Sequence, residues 1–345
     1  MYKGAVTSRC RVAVAGATGY IGIQCVEILA RHPHLELTHL LGRSHAGKSF
    51  RDVVPGSGVD LPLEAGLDVV GVDAVLTALP HTVAAAHARG WIEAGAVVVD
   101  MSADFRLRDA ADYERWYGVT HPAPGLCGES VYALVELLDD GLRDATLIAA
   151  PGCYPTATLL ATVPAVRAGL VRPDIVVDAK SGVSGAGRSP SLGVHYAEVN
   201  ESVKAYGVDG HRHKAEMLQE LRAANNSADV RLTFVPHLIP MTRGILATAY
   251  LHPLPGTAVG ELRELYRDLC AAHPCLRYDD APPPTKSVIG SNLAALNVAD
   301  QDGVAVVTCA IDNLVKGAGG QGIQALNLRF GFEETAGLPL TPAWP

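Results

Sequence analysis

Apolar and polar positions divide this chain into two halves of different rhythm. In the first half, short apolar runs at 10–15, 35–41, 74–79, 96–100 and 145–150 alternate with segments of helical spacing. Residues 20–31 put Ile21, Cys25, Ile28 and Leu29 on one face, and 83–93 forms a helix between two runs. This alternation predicts a parallel sheet covered on both faces. The second half carries longer strand patterns at 174–180, 230–235, 246–252, 293–299 and 304–311. Gln301-Asp302-Gly303 reads as a hairpin turn between the last two. Helices are predicted at 156–168, 214–224, 259–271 and 319–330, and Pro282-Pro283-Pro284 is a loop. Strands joined by hairpins, with helices on one side, predict an α+β domain with a mixed or antiparallel sheet.

The length of 345 residues makes two domains the natural expectation. With 48% hydrophobic and 19% charged residues, the composition is that of a globular enzyme. A net charge of −8 argues against a nucleic-acid surface, though not against an anionic ligand held by local donors. No apolar run reaches membrane-span length. Lys3, Arg9 and Arg11 flank a short polar segment without the apolar core of a signal peptide, so a cytoplasmic protein is expected. The seven cysteines include no C-x-x-C pair, which speaks for reduced thiols and against a metal site or a disulfide frame.

Gly16-Ala17-Thr18-Gly19-Tyr20-Ile21-Gly22 lies between the first predicted strand and an amphipathic helix. Its G-x-x-G-x-x-G spacing is a variant of the dinucleotide fingerprint: Gly16 for the tight turn, Gly19 for approach to a pyrophosphate, Gly22 for close helix packing. The helix N-terminus then faces the phosphates. After the second strand, Arg43 and Ser44 stand where an NAD site has an acidic residue, with Lys48 nearby. That favours NADP. A solvated loop arginine is the bland alternative.

Ala149-Ala150-Pro151-Gly152-Cys153-Tyr154-Pro155-Thr156 puts Cys153 at or near a helix start. There backbone N–H groups and the helix dipole favour a thiolate, and the same groups suit an oxyanion. Taken alone, Cys153 reads first as one small buried thiol among seven, as most free cysteines are, and the rest of the sequence has to overturn that. A dinucleotide domain followed by such a cysteine points to one chemistry: attack on an acyl carbon, with hydride exchange at that carbon. Gly210-His211-Arg212-His213 precedes the helix at 214–224 and offers an acid or base; which histidine faces Cys153 stays open. Ser102-Ala103-Asp104-Phe105-Arg106 follows a strand, where parallel sheets bind ligands, and Arg106 suits a phosphate or carboxylate. Ser181-Gly182-Val183-Ser184-Gly185-Ala186-Gly187-Arg188 is a second glycine-rich loop, whose small residues permit close approach to a ligand.

Several blocks in order resemble the N-acetyl-γ-glutamyl-phosphate reductases over nearly the whole length. They are Gly16-Ala17-Thr18-Gly19-Tyr20, Ser102-Ala103-Asp104-Phe105-Arg106, Pro151-Gly152-Cys153-Tyr154-Pro155-Thr156, the loop from Ser181 to Arg188, Glu198-Val199-Asn200-Glu201, His211-Arg212-His213, the stretch from Pro236 to Gly244, and Asp312-Asn313-Leu314-Val315-Lys316-Gly317. The resemblance implies a Rossmann domain plus an α+β domain of the glyceraldehyde-3-phosphate/aspartate-semialdehyde dehydrogenase type. It implies that Cys153 accepts the acyl group and that the last helix returns to the first domain. The expected division is 1–152 with 313–345 as the NADP-binding Rossmann domain, and 153–312 as the catalytic and dimerisation domain. Two departures stand out. Ala215 and Glu216 occupy the stretch after His213-Lys214 where the family often has a proline, and Gln24-Cys25 replaces a common Glu-Leu.

The expected chemistry is NADPH-dependent reduction of N-acetyl-γ-glutamyl phosphate to the 5-semialdehyde in arginine biosynthesis, through a Cys153 thioester, with phosphate released. Cys153, His211 and His213 are the expected catalytic residues, His211 being preferred for proton transfer. The cofactor is expected at Gly16, Thr18, Gly19, Tyr20, Ile21, Arg43, Ser44, Pro80, Ser184, Gly185 and Asn313. The substrate is expected at Ser102, Arg106, Gly182 and Tyr206, with Arg243 near the site. No metal, nucleic-acid or membrane partner is expected, and relatives suggest a homo-dimer or tetramer. Three other readings compete: a carrier-linked aminoadipyl-phosphate reductase of lysine biosynthesis, a non-redox NADP-binding sensor, and a cysteine hydrolase. One methylene separates the glutamyl and aminoadipyl chains, worth only ~1–3 kcal/mol in a pocket.

Overall fold

The computed structural model describes residues 9–344 apart from 68, 139 and 228; Lys3 and the rest of 1–8 lie outside the described residues. Seven strands from the first half form one parallel sheet. They are β1 (Cys10–Ala15), β2 (Leu35–Leu41), β3 (Leu63–Glu64), β4 (Ala74–Thr77), β5 (Val97–Asp100), β6 (Val131–Tyr132) and β7 (Leu147–Ala149), in the order β3-β2-β1-β4-β5-β7-β6. Ala15 pairs with Leu41 and Thr77, Thr77 with Asp100, and Asp100 with Ala149. The carboxyl ends of five strands are thus level along one edge. Every loop that follows them opens on that edge, where ligands bind in doubly wound sheets.

The second sheet is mixed, as the hairpin pattern predicts. It contains β8 (Asp174–Ser181), β9 (Lys204–Ala205), β10 (Arg231–Leu238), β11 (Ile245–Leu251), β12 (Leu276–Tyr278), β13 (Ala294–Gln301) and β14 (Val304–Ile311), ordered β12-β13-β14-β11-β8-β10-β9. Asp302 (φ 51°) and Gly303 (φ 83°) form the turn between β13 and β14 with left-handed backbone, as a two-residue hairpin of this twist requires. Helices His213–Asn225 and Val259–Ala272 lie on one face of this sheet with helix Cys153–Arg167.

Helix Cys153–Arg167 joins the two sheets. It begins three residues earlier than its apolar pattern suggests, because Tyr154 and Pro155 sit in the first turn, where proline costs no hydrogen bond. Tyr154 through Val166 are all buried, so the helix is apolar all round and lies within the core instead of on a surface. The last helix, Gly320–Arg329, follows a π-helical turn at Val315–Gly319 and buries Ile323, Ala325 and Leu326 with Val12, Val97 and Val99 of the first sheet. Strands β3, β6, β9 and β12 carry no readable pattern because each has two or three residues. Helix Ala110–Tyr117 has a single buried residue, Tyr113, and is fixed by Asp109 capping Ala111 N–H at 2.8 Å and by Gly118 in the left-handed region.

The π turn packs directly under the start of helix Cys153–Arg167. A methyl group on Gly317 would lie 2.8 Å from Cys153 Cβ and 3.2 Å from its Cα. Gly317→Ala is therefore expected to cost about 1–3 kcal/mol of stability through overpacking. Gly90→Ala, in an exposed helical position with open space around it, should gain about 0.5–1 kcal/mol. Urea denaturation of the two variants beside wild type checks both signs.

Candidate active site

The glycine loop is built for an anion. Gly16 has φ 84°, and a side chain there would meet Ala78 O at 2.5 Å; one on Gly22 would meet Gly16 O at 2.1 Å. Helix Tyr20–Leu29 then starts at Gly19 with no side-chain cap and no acidic residue in its first turn. Its free N–H groups and positive dipole end are left for a ligand, so the residues fit a pyrophosphate. Thr18 packs on Gly42, whose missing Cβ would lie 3.4 Å from Thr18 Cγ2. Exposed Arg43 and Ser44 follow at once in a 3-10 turn, beside exposed Tyr20 and half-buried Ile21, with exposed Pro80 just beyond Ala78.

The second helix start repeats the design. Gly152 is its N-cap, again without a side-chain cap or first-turn acid. Cys153 is half-buried among seven free cysteines. The expectation of a ready thiolate needs correcting. Burial pushes the Cys153 thiol up to about 11, and the Arg106 guanidinium and Tyr154 N–H only partly offset it. Desolvation of a charged sulfur outweighs the helix terminus in the free protein.

Three side chains converge on Gly152. Arg106 is buried; its Nε donates to Ala150 O at 2.8 Å and its Nη2 to Met101 O at 2.9 Å. Its Nη1 lies 3.6 Å from Glu216 Oε2. Glu216 Oε1 accepts from Gly152 N–H at 2.8 Å and from Tyr132 OH at 2.7 Å. A side chain on Gly152 would lie 2.8 Å from Arg106 Nη1 and 2.9 Å from His213 Nε2. Arg106 thus holds the Ala150–Gly152 backbone before Cys153 as well as facing it, and keeps N–H groups that suit an anion.

Both predicted histidines reach the site. His211 Nδ1 accepts the His213 backbone N–H at 3.1 Å, which places the proton of the neutral ring on Nε2. Its ring stands edge-on to Tyr154 and Tyr206, both at 5.7 Å. Burial, then Arg212, brings His211 down to about 4; burial, then His211 and Arg106, holds His213 well below the usual imidazole range. The missing family proline leaves the local geometry regular, and the helix begins at His213.

Other predicted residues have packing roles. Ser102 is buried, its hydroxyl donating to Asp100 and accepting from Asp104 N–H. Gly182 leaves no room for a side chain against the turn at Met241 and Arg243, with contacts at 2.8 Å. Asn313 is buried, accepting from Gly244 N–H at 2.7 Å and donating to Ser184 Oγ at 3.0 Å, so it shapes the loop that carries Ser184 and Gly185. Tyr206 OH donates to Tyr154 OH at 3.0 Å. Arg243 bonds Gln24 and Asp312, linking the second sheet to the first helix.

Two residues at the site escaped the sequence reading. Glu216 lies three residues after His213, one helical turn along the same face, and that spacing was the available signal. His81 follows β4 on the ligand edge, ring against Tyr117 at 5.1 Å. Burial, then Arg212 and Arg106, lowers it to about 4. Thr82 beside it is left-handed (φ 71°) and donates its N–H to Asp104.

A Rossmann sheet, a mixed second sheet and a cysteine at their junction define the semialdehyde dehydrogenase class. Residues 11–145 match the family model for a semialdehyde dehydrogenase NAD binding domain, and residues 153–313 the corresponding dimerisation domain. The fold is that of aspartate semialdehyde dehydrogenase II from Vibrio cholerae, with TM-score 0.73 and 18% identity over 94% of this chain and 99% of that one. The Candida albicans aspartate semialdehyde dehydrogenase solved with NADP aligns with TM-score 0.64 and 15% identity over 93% of this chain and 98% of that one. The N-acetyl-γ-glutamyl-phosphate reductase of Heliobacterium modesticaldum is 46% identical over 97% of this chain and 99% of its own, and that of Neisseria meningitidis 41% over 99% and 100%. The chain belongs to the N-acetyl-γ-glutamyl-phosphate reductase family. It is an oxidoreductase of the phosphorylating, aldehyde-acting type, and a nicotinamide dinucleotide is its cofactor. Among the described residues, no helix is long and apolar enough to cross a membrane.

The elevated thiol makes a pH prediction. Alkylation of Cys153 by iodoacetamide in the free protein should keep rising with pH up to about 11, because the thiolate fraction grows tenfold per unit below the pKa. The negative charge of Glu216 opposes the thiolate. Glu216→Gln keeps an acceptor for Gly152 N–H, removes that charge, and should move the alkylation profile to lower pH.

Proposed function

We propose that this protein reduces N-acetyl-γ-glutamyl phosphate to N-acetylglutamate 5-semialdehyde with NADPH, releasing phosphate, as a step of arginine biosynthesis. The observation that carries the reading is the convergence of Arg106, Glu216 and His213 on Gly152, immediately before Cys153 at an uncapped helix start. Full-length identity to relatives named for this substrate favours it over a carrier-linked acyl phosphate. The chain divides into 1–152 with 313–345, and 153–312; the packing of Ile323 and Leu326 on the first sheet supports this.

Arg106 attracts the anionic acyl phosphate and, with the thiol, faces its carbonyl. Sulfur of Cys153 bonds to the carbonyl carbon, the carbon–oxygen bond to phosphate breaks, and the thiol proton goes to the departing phosphate, leaving a thioester. Backbone N–H groups at the helix start stabilise the carbonyl oxygen as charge develops on it. A nicotinamide dinucleotide, which the glycine loop would hold with Arg43 and Ser44 toward a 2′-phosphate, would supply the hydride. His211 donates a hydrogen bond from Nε2–H to the resulting oxyanion; as the carbon–sulfur bond breaks, the aldehyde leaves and the Cys153 thiolate takes a proton from water. Its depressed pKa keeps the ring neutral at pH 7, so Nε2 retains its proton as a hydrogen-bond donor. Ser102 and Gly182 hold the walls of the substrate pocket, and Tyr206 lines it beside His211.

The test is phosphate- or arsenate-dependent NADP reduction with N-acetylglutamate 5-semialdehyde, run beside carrier-linked and aspartate analogues. Activity with the first is expected, and its absence would overturn the substrate. Cys153→Ala should lower turnover by several orders of magnitude while NADPH still binds. His211→Gln should lower kcat by roughly 10²–10⁴, more than His213→Gln does.

The protein is also proposed to form a homo-oligomer through the second sheet. Val176, Tyr250 and Val306 are paired neighbours on β8, β11 and β14, half-buried on the face away from the helices. Their alternate residues fill the core, so this apolar row is free to pack on another copy. Tyr250→Arg should shift the assembly to a smaller mass in light scattering.

A further inference from the structure

The loop after β8 sends one arginine across to the first sheet's domain. Arg188 Nη1 donates to Thr18 O at 2.9 Å, and its Nη2 reaches Val53 O at 3.4 Å. Thr18 lies between Gly16 and Gly19, at the mouth of the uncapped helix start that fits a pyrophosphate. Val53 ends the short helix that follows the Arg43–Lys48 stretch. The guanidinium therefore sits between the diphosphate cradle and the loop proposed for the 2′-phosphate.

Arg188 is exposed, and the partners just described are neutral carbonyls. The likewise exposed Arg51, Arg108, Arg231 and Arg267 each pair with a carboxylate. A guanidinium resting on carbonyls keeps its full charge available, and exchanging a carbonyl for a phosphate oxygen gives a shorter, charge-assisted bond. We infer that Arg188 is a phosphate-binding residue for the dinucleotide, contributed by the catalytic domain to a cradle otherwise built from the Rossmann domain. Cofactor binding then draws down the loop that also carries Ser184, which is bonded to Asn313. The inference rests on the dinucleotide reading and adds a residue to it.

The experiment is titration of NADPH and NADH into wild type, Arg188→Ala, Arg188→Lys and Arg43→Ala, followed by calorimetry or nucleotide fluorescence, with no substrate present. Arg188→Ala should weaken binding roughly tenfold to a hundredfold, Arg188→Lys less, and the loss should shrink as salt rises. Equal loss for both nucleotides assigns Arg188 to the diphosphate; loss confined to NADPH assigns it to the 2′-phosphate. Wild-type affinity of Arg188→Ala for both nucleotides overturns the inference. A wild type that prefers NADH overturns the NADPH reading instead, and the NADH arm still decides Arg188. The thermal unfolding of free Arg188→Ala should match wild type, because the side chain is exposed.

Discussion

The buried pair of Arg106 and Glu216 is the interaction on which the site depends. Glu216 comes from a helix packed on the second sheet, Arg106 from a loop that follows β5 of the first, and between them they fix Gly152, where helix Cys153–Arg167 begins. A carboxylate removed from water must be compensated: here Oε1 accepts from Tyr132 OH and Gly152 N–H, and Oε2 faces the Arg106 guanidinium at 3.6 Å as a charge contact without a hydrogen bond. Losing one partner of such a pair leaves an uncompensated buried charge, typically a cost of about 3–5 kcal/mol. The same contacts set the backbone from which Cys153 projects, so fold and chemistry share one constraint.

A second buried ion pair holds the floor of the site. Lys316, fully buried, lies 2.5 Å from Glu136 Oε1 and 2.8 Å from Gln324 Oε1. It belongs to the π turn whose Gly317 abuts Cys153. The turn leaves regular helical geometry where the chain passes from β14 back to the first sheet, which is where π turns often serve function. Glu136 is held below the usual carboxylate range by Lys316 and Gln324 in spite of its burial. Cysteine, histidines and arginine are thus presented by backbone that is braced from both domains.

Burial sets the protonation of the site before substrate arrives. It raises the thiol of Cys153 and lowers the imidazoles of His81, His211 and His213, so neutral groups surround the Arg106–Glu216 ion pair in the free site. In the proposed reaction, an anionic acyl phosphate meets the Arg106 guanidinium without a competing thiolate. In that reaction the Cys153 sulfur is activated only as its proton departs.

Much of this was legible in the residues. The Gly16–Gly22 spacing, the periods of 2 and 3.6, the hairpin at Asp302-Gly303 and the position of Cys153 at a helix start are local properties, decided by backbone sterics and by which face must be apolar. Family resemblance named the chemistry. The tertiary structure decided what depends on residues distant in sequence. It put Glu216 against Gly152, turned Ser102 and Asn313 to packing, brought His81 to the site, and set Arg188 on Thr18, 170 residues away. It also reversed the expected ionisation of Cys153. A helix terminus can be read from a few residues, but desolvation comes from everything that packs around the sulfur, and no local pattern encodes that.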